Sequence, residues 1–270
     1  KLIEVLSRTI KDGRVISLIH KYLRSGVMVN GLFVRSEEGT PQGGPLSPLL
    51  SNVMLNELDK ELERRGLPFV RYADDSMIFC RSKRAAERVR ESITNFIEGR
   101  LHLKVNKEKT VVSYVRGVKY LGYSFYINKG KCLLTVHPKT KAKMRRRLKE
   151  LTGRSNGMGY AKRKENLRLY IKGWVNYYHL ATMKRLTEET DEWLRRRLRM
   201  CIWKSWKLPK TRIKNLIKCG INKYNARRWG CVKGYWRVAG SPIMHVAASN
   251  VNLRKAGYTF LYDEYVKWLP

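Results

Sequence analysis

The chain has 270 residues, 43% of them hydrophobic, which is enough for one large domain or two smaller ones with packed cores. Its 57 Lys and Arg against 22 Asp and Glu give a net charge of +35, which favours a polyanionic partner, nucleic acid first of all. No run of about 18 apolar residues is present and residues 1–14 lack the pattern of a signal peptide, so the sequence predicts a soluble, intracellular protein.

Helices and short strands alternate in the first half of the expected structure. Asp12 is a candidate N-cap for a helix that ends at Gly26, and Asn30-Gly31 predicts a hairpin within residues 27–34. The further elements predicted up to residue 136 are a glycine and proline turn leading into a helix that ends at Gly66, strands 69–72 and 76–80, a helix at 83–98, strands 110–116 and 118–127, and a turn at 128–130.

The texture changes after residue 137 to basic, helix-prone stretches at about 139–151, 161–181 and 184–206. Residues 1–128 carry a net charge of +8, whereas residues 129–270 carry 35 Lys and Arg against 8 Asp and Glu, a net charge of +27. A membrane surface is a rival partner, but the charge is interleaved with Trp and Tyr over more than a hundred residues instead of lying on one amphipathic helix. The second half is therefore the expected nucleic-acid-binding half.

Two adjacent carboxylates, Asp74 and Asp75, lie between the predicted strands 69–72 and 76–80. Neighbouring carboxylates repel unless a cation neutralises them, and Mg²⁺ prefers oxygen ligands that it shares with water and phosphates. This pattern suits phosphoryl transfer with two Mg²⁺ ions. The alternative is that Asp-Asp merely forms a β-turn, a conformation that aspartate favours.

The context of the pair carries a resemblance. Tyr72-Ala73-Asp74-Asp75, preceded by residues 40–52 (TPQGGPLSPLLSN), resembles the palm of a reverse transcriptase, and in detail the proteins encoded by bacterial group II introns. The likeness continues through residues 103–110 (LKVNKEKT), residues 120–123 (YLGY) and residues 173–178 (GWVNYY). It implies an α+β fold: a polymerase right-hand palm, with an antiparallel sheet and helices, followed by an α-helical thumb or maturase domain.

The resemblance also implies roles for individual residues. Asp74 and Asp75 would be catalytic and would bind metal. Nucleotide-binding roles would fall to Gln42, Gly43, Gly44, Tyr72, Ala73 and Lys109, and the primer grip to Tyr120, Leu121, Gly122 and Tyr123. A helix-entry turn is the alternative for Gly43-Gly44, and a solvated surface position is the alternative for Lys109.

Nothing before Thr40 matches the family's upstream acidic motif, which supplies a further metal-binding aspartate. The chain therefore resembles the C-terminal portion of such an enzyme, and we expect that it does not polymerise without an N-terminal fingers and palm segment. The implied domains are a partial fingers and palm at 1–136, a helical thumb (maturase, domain X) at 137–208 and a basic accessory region, suited to DNA contact, at 209–270.

The nucleic-acid contacts are expected from the basic helices, where Leu148, Leu151 and the stripe from Leu167 to Tyr178 provide apolar sides. The candidates are Lys139, Lys141, Lys143, Arg145, Arg146, Arg147, Arg195, Arg196, Arg197 and Arg199. The five cysteines include no CxxC pair and are expected to be reduced thiols, and His245 is expected to be structural.

The resemblance thus implies an RNA-directed DNA polymerase of a group II intron that also binds its intron RNA to assist splicing and supports retrohoming by target-primed reverse transcription. The implied partners are the intron RNA, an RNA template with its DNA primer, target DNA and dNTPs, in the bacterial cytoplasm and without a membrane. A maturase-only splicing cofactor is the alternative. A generic basic scaffold would explain the charge but not the two palm motifs.

Overall fold

The computed structural model of the chain describes residues 1–29, 32–34 and 44–269. It divides into two units, Lys1–Tyr114 and Val115–Pro270. The described strands form three small antiparallel sheets, two of them in the first unit and one in the second, and helices account for most of the remaining ordered elements. The predicted mixture of α-helices and antiparallel β-structure is confirmed.

The first unit contains four helices and two hairpins among its described residues. Asp12 caps the second helix by accepting a hydrogen bond from the Arg14 N–H at 2.8 Å, as predicted. The predicted hairpin at 27–34 is confirmed as an antiparallel pair, but its Asn30-Gly31 turn lies outside the described residues. The elements are α1 (Leu2–Thr9), α2 (Gly13–Arg24), β1 (Val27–Val29), β2 (Leu32–Val34), α3 (Ser47–Arg64), β3 (Phe69–Tyr72), β4 (Asp75–Ile78) and α4 (Lys83–Gly99).

Helix α3 supplies the centre of the first unit's core. Met54, Leu58 and Leu62 recur every four residues, so their side chains lie on one face of the helix and are buried there. Ile93 of α4 and Leu101 join the same cluster. The helix is thereby fixed on one side and leaves its other sides for polar contacts.

One predicted strand of the first half does not form, and another is interrupted. Residues 110–114 have no regular structure, and Val115–Gly117 is a single turn of 3₁₀ helix. Val111 and Tyr114 are 72% and 86% exposed, and no described strand pairs with this segment, so its β-prone side chains have neither a ladder nor a core to join. Predicted strand 118–127 is broken by a turn at Leu121 and Gly122.

The second unit combines a three-stranded sheet with a helical array. Strands β5 (Lys119–Tyr120), β6 (Tyr123–Asn128) and β7 (Lys131–Val136) are followed by the three predicted basic helices, α5 (Pro138–Leu151), α6 (Tyr160–Tyr178) and α7 (Lys184–Ser205). Shorter helices complete the chain: α8 (Pro209–Lys218), α9 (Lys223–Gly230), α10 (Tyr235–Ala239), α11 (Pro242–Ala247), α12 (Asn250–Lys255) and α13 (Leu261–Tyr265), then a 3₁₀ turn at Val266–Trp268.

The core of the second unit is built on α6 and α7. Leu167, Ile171 and Val175 of α6 are fully buried, which confirms the predicted packing stripe, and Leu194 and Leu198 of α7 are buried in the same cluster. The five cysteines all carry free thiols, as predicted. Within the described ranges, no helix has both the length and the apolar character that a membrane crossing requires.

Candidate active site and nucleic-acid interface

The two candidate catalytic aspartates lie at the tip of a tight hairpin, the carboxylate turn (residues 72–75). Strands β3 and β4 pair with Tyr72 opposite Asp75, so only Ala73 and Asp74 form the loop, and Ala73 has a positive φ of 50°. Both carboxylates are exposed, and Tyr72 beside them is 65% exposed. The turn therefore presents its side chains to solvent instead of burying them.

Helix α3 contacts the carboxylate turn from one side. Ser51 donates a hydrogen bond from Oγ to Asp74 Oδ1 at 3.2 Å. Ser51 and Asn52 lie on the side of α3 that faces the hairpin, and the opposite side of the helix packs in the core. The position of Asp74 is thus tied to a helix whose other face is packed.

Arg71 connects the same helix to the backbone of the turn. Its Nη1 donates to the Ala73 carbonyl at 3.1 Å and to Asn52 Oδ1 at 2.9 Å. Its guanidinium also makes a two-point contact with Asp59 of α3, with Nε 2.7 Å from Oδ1, and both side chains of this pair are largely buried. Bidentate Arg–carboxylate pairs have a fixed geometry, so Arg71 holds the turn at a defined place on α3.

The carboxylates of the turn fit a hard divalent cation. They offer oxygen ligands at an open surface, where water and phosphate oxygens could supply the other positions that Mg²⁺ requires. Within residues 1–29, 32–34 and 44–269, no group of three or more Asp, Glu, His or Cys side chains could hold a metal ion. The described residues therefore offer two adjacent carboxylates at this surface and no complete protein cage for a metal ion.

Of the other predicted nucleotide-binding residues, the structure describes Gly44 and Lys109. Gln42 and Gly43 lie outside the described residues. Gly44 opens the turn into α3, where its carbonyl accepts from the Ser47 N–H at 3.2 Å, and a Cβ at Gly44 would overlap the hydroxyl of Tyr22. Lys109 is exposed at the end of a turn that begins at Asn106.

The predicted primer-grip residues form a second tight turn, the grip turn (residues 120–123), in the second unit. Tyr120 pairs with Tyr123, and Leu121 and Gly122 between them have positive φ values of 50° and 84°. Two consecutive positive φ angles are typical of a type I′ hairpin turn. Tyr177 of α6 donates from its hydroxyl to the Leu121 carbonyl at 3.2 Å.

The grip turn is held on both sides of its glycine. Thr140 Oγ1 and the His137 N–H each donate to the Gly122 carbonyl at 3.0 Å, and the Tyr123 hydroxyl donates to the carbonyl of Tyr177. A Cβ at Gly122 would overlap the hydroxyl of Tyr178, so the close approach of α6 requires glycine here.

An aromatic cluster surrounds this contact. The ring centroids of Tyr123 and Tyr178 are 5.2 Å apart, and those of Trp174 and Tyr178 are 4.8 Å apart. Burial, together with the neighbouring hydroxyls of Tyr177 and Tyr178, raises the pKa of Tyr123 to about 12. Trp174 and Tyr178 are therefore packing groups, in agreement with the predicted stripe, whereas the exposed Tyr177 positions the grip turn.

The predicted nucleic-acid contacts differ between the two helices that carry them. Lys139, Lys143, Arg145, Arg146 and Arg147 of α5 are exposed, and Arg147 pairs with Glu150 at 2.9 Å. Lys141 is half-buried. Helix α5 therefore presents most of its predicted cations to solvent.

The predicted cations of α7 are less accessible. Arg195, Arg196 and Arg197 are half-buried, and Arg197 Nη2 donates to the carbonyls of Lys149 and Thr152 at 3.0 Å, at the C-terminal end of α5. Cations stabilise helix C-termini, where carbonyls lack intrahelical partners.

Arg199 is only 4% exposed and donates to the Ala248 carbonyl at 3.0 Å and to Asn250 Oδ1 at 3.2 Å. This position places Arg199 in the interior of the unit, with its Nη1 3.4 Å from Nε2 of the exposed His245.

Two known protein families match different parts of the chain. Residues 2–125 match the family described as "Reverse transcriptase (RNA-dependent DNA polymerase)", and residues 141–220 match "Group II intron, maturase-specific domain". The chain is thus similar to reverse transcriptases over residues 2–125 and to group II intron maturases over residues 141–220, which confirms the predicted resemblance.

Three curated relatives illustrate the extent of the similarity. Protein YkfC of Escherichia coli (strain K12) is 32% identical over 45% of this chain and 41% of its own length. Group II intron-encoded protein LtrA of Lactococcus lactis subsp. cremoris is 26% identical over 47% of this chain and 32% of its own. Putative COX1/OXI3 intron 2 protein of Saccharomyces cerevisiae is 26% identical over 67% of this chain and 32% of its own. The chain thus spans between 32% and 41% of the length of these relatives.

Several residues that position these turns and helices were not predicted from the sequence. Arg71 lies inside the predicted strand, where side chains alternate between faces, and a charged residue on the more buried face signals a specific partner. Tyr177 gave no signal beyond its aromatic character. Asp191 is buried and accepts the Leu261 and Tyr262 N–H groups at 2.9 and 2.8 Å at the start of α13, a contact with no local signal in the sequence.

Proposed function

We propose that the chain carries part of the polymerase active site and the maturase region of a group II intron-encoded RNA-directed DNA polymerase. The observation that carries this proposal is the carboxylate turn, in which two adjacent carboxylates are exposed and fixed on a packed helix by Ser51 and Arg71. In this proposal residues 1–136 are part of the fingers and palm, residues 137–208 are the helical thumb, and residues 209–270 are a basic accessory region.

Asp74 would be the principal metal ligand and Asp75 its helper. Two Mg²⁺ ions bound there would stabilise the attacking and leaving oxygens as the primer 3′ hydroxyl displaces pyrophosphate from a dNTP. Ser51 and Arg71 would keep the carboxylates in place, and Tyr72 and Ala73 would lie against the primer end and the incoming nucleotide. A further carboxylate from an N-terminal fingers and palm segment would complete the ligand set.

The remaining assignments follow from the family. Gln42, Gly43, Gly44 and Lys109 would bind the nucleotide, and the grip turn would hold the primer. The exposed cations of α5 and those of residues 209–270 would bind the intron RNA, the template–primer duplex and target DNA. The whole protein would assist splicing of its intron and support retrohoming by target-primed reverse transcription.

Primer extension on poly(rA) primed with oligo(dT), with Mg²⁺ and dTTP, tests the proposal. The preparations are this chain alone, this chain with an N-terminal segment carrying the upstream aspartate, and the same combination with Asp74→Ala. We expect synthesis only in the unmutated combination. Synthesis by the Asp74→Ala combination, or by this chain alone, would contradict the proposal.

A maturase-only splicing cofactor is the second candidate, and the match of residues 141–220 to the maturase-specific domain supports it independently of the aspartates. Absence of synthesis in all three preparations, together with tight, salt-sensitive binding to structured RNA, would favour that candidate. The exposed carboxylate pair speaks against a relic palm, because two adjacent carboxylates repel one another unless a cation neutralises them.

A further inference from the structure

An open groove of about 580 Å³ runs between α5 and α7 and ends at α10. Its lining contains four cationic side chains, Arg145, Arg146, Lys149 and Arg197, and two indoles, Trp193 and Trp236. Ala142 completes the lining, so none of the groove's residues is acidic. Cations interleaved with aromatic rings are the composition that surfaces for single-stranded nucleic acid share.

The cations of this groove are arranged around Trp193. The guanidinium carbons of Arg145 and Arg197 lie 5.0 and 5.2 Å from the centroid of its ring, within the distance of a cation–π contact. Arg197 is also bound to the end of α5, whereas Arg145 is exposed. Trp193 therefore orients the exposed Arg145, while Arg197 links the lining of the groove to the end of α5.

Trp236 offers an accessible aromatic surface at the opposite wall. Its side chain is 40% exposed, and Arg196 fixes it: the guanidinium carbon lies 4.3 Å from the ring centroid and Nη2 donates to the Trp236 carbonyl at 3.4 Å. An indole held in place loses little side-chain freedom when a flat ligand stacks on it.

A second open groove in the same unit provides an internal comparison. It has a similar volume, about 510 Å³, but its lining combines Lys141, Lys184 and Arg185 with Glu188 and Glu189. Arg185 Nε is 2.7 Å from Glu189 Oε1, so one of its cations is already paired. The groove at Trp236 is therefore the one whose charge selects a polyanion.

We propose that the groove between α5 and α7 binds single-stranded nucleic acid, with one unpaired base stacked on Trp236 and the flanking phosphates bound by Arg145, Arg146 and Lys149. Bases inside a duplex are already stacked and cannot reach a side-chain ring, so the aromatic wall distinguishes a single strand from a duplex. The inference rests on the proposed nucleic-acid function and adds a base-stacking subsite to it.

The test uses the chain with two fluorescein-labelled probes, a 12-nucleotide oligo(U) and a 12-base-pair RNA duplex, titrated at several salt concentrations. Trp236→Ala is expected to weaken oligo(U) binding about tenfold and to change duplex binding less than about twofold, because stacking serves only the single strand. Trp236→Phe should retain most of the affinity.

The double variant Arg145→Gln, Arg146→Gln is expected to weaken both probes and to lower the slope of log K against log salt by about 1.4 for the single strand, whereas Trp236→Ala leaves that slope unchanged. The matched control is Lys184→Gln with Arg185→Gln in the second groove, which should leave oligo(U) binding within about twofold. Unchanged far-UV circular dichroism verifies the fold of each variant.

Three outcomes would overturn the inference: oligo(U) binding unaffected by Trp236→Ala, equal losses for the single strand and the duplex, or equally effective competition by polyglutamate. In the first two cases the duplex affinity of the unmutated chain would still support the proposed function. If the unmutated chain bound neither probe at 0.15 M salt, the groove and the nucleic-acid part of the proposed function would both fail.

Discussion

The ion pairs of residues 1–114 lie mostly at the surface, whereas several charged side chains of residues 115–270 are buried and bind backbone groups. In the first unit, Glu61 pairs with both Arg64 and Arg65 on the outside of α3. In the second unit, Asp191 and Arg199 are 1% and 4% exposed and hold the start of α13 and the carbonyl of Ala248. All described polar or charged residues classed as buried lie in the second unit.

The comparison shows that the net charge of the second unit overstates the number of its cations that are exposed to a partner. Arg197 and Arg199 were predicted as nucleic-acid contacts, yet their guanidiniums are engaged by helix ends and loops of the same unit. Among the predicted nucleic-acid contacts, the exposed cations lie on α5 instead. In the first unit, by contrast, an open carboxylate pair is the notable charge, and a surrounding network fixes it without burying it.

The largest stability effect that we expect is a pH dependence of opposite sign in the two units. Burial raises the pKa of Asp191 from 3.8 to about 6, so between these values the folded state binds more protons than the unfolded state. The stability of the second unit therefore falls as pH rises from about 4 to about 6, by about 3 kcal/mol in total. Asp191→Asn removes the titrating carboxyl and keeps an acceptor for only one of the two N–H groups, so the variant should be less stable and should lack this pH dependence in urea unfolding.

Glu61 provides the opposite case in the first unit. Hydrogen bonds from Arg64 and Arg65 lower the pKa of its carboxyl to about 2, so its contribution is present above pH 4.5 and is lost as pH falls toward 2. If the free energy of unfolding depended on pH equally in the unmutated chain and in Asp191→Asn between pH 4 and 6, the assignment of Asp191 as the titrating buried carboxyl would be wrong.

Alanine at two hairpin glycines should separate backbone strain from close packing. Gly122 and Gly130 both have positive φ, 84° and 75°, but only Gly122 lacks space for a Cβ, because Tyr178 occupies it. Gly122→Ala is expected to cost about 2 kcal/mol of unfolding free energy and Gly130→Ala about 1 kcal/mol. Thermal unfolding measures both, and equal losses would mean that α6 does not clamp the grip turn.

A pair of double-mutant cycles should show that the carboxylate turn is held more firmly than an ordinary surface contact. Arg71–Asp59 and Arg254–Asp263 are both two-point contacts, but the first pair is 13% and 19% exposed and the second is 48% and 35% exposed. We expect a coupling energy of about 1 kcal/mol for Arg71–Asp59 and about 0.5 kcal/mol or less for the exposed pair. A larger coupling energy for the exposed pair would contradict the role of Arg71 in holding the carboxylate turn.

Local signals in the sequence predicted much of the fold. The Asp12 cap, the glycine stop at Gly66 and the apolar stripe of α6 depend on neighbours within one or two helical turns, and the structure confirms them. Strand 110–116 was wrong because a strand needs a partner, and none of the described strands provides one. The contacts of Arg71, Tyr177 and Asp191 join residues up to 71 positions apart, which no periodicity encodes.

The most direct test of the account is the Mg²⁺ dependence of single-nucleotide incorporation by the chain combined with the upstream segment. Asp74→Asn keeps the size of the side chain and removes its charge, so we expect the rate to fall about a thousandfold, equivalent to about 4 kcal/mol, while the pairing of β3 and β4 is retained. Ser51→Ala removes one hydrogen bond to Asp74 but keeps the carboxylate itself, so it should lower the rate only a fewfold. A rate for Asp74→Asn within tenfold of the unmutated combination, with the same Mg²⁺ dependence, would contradict the assignment of the carboxylate turn as the metal-binding site.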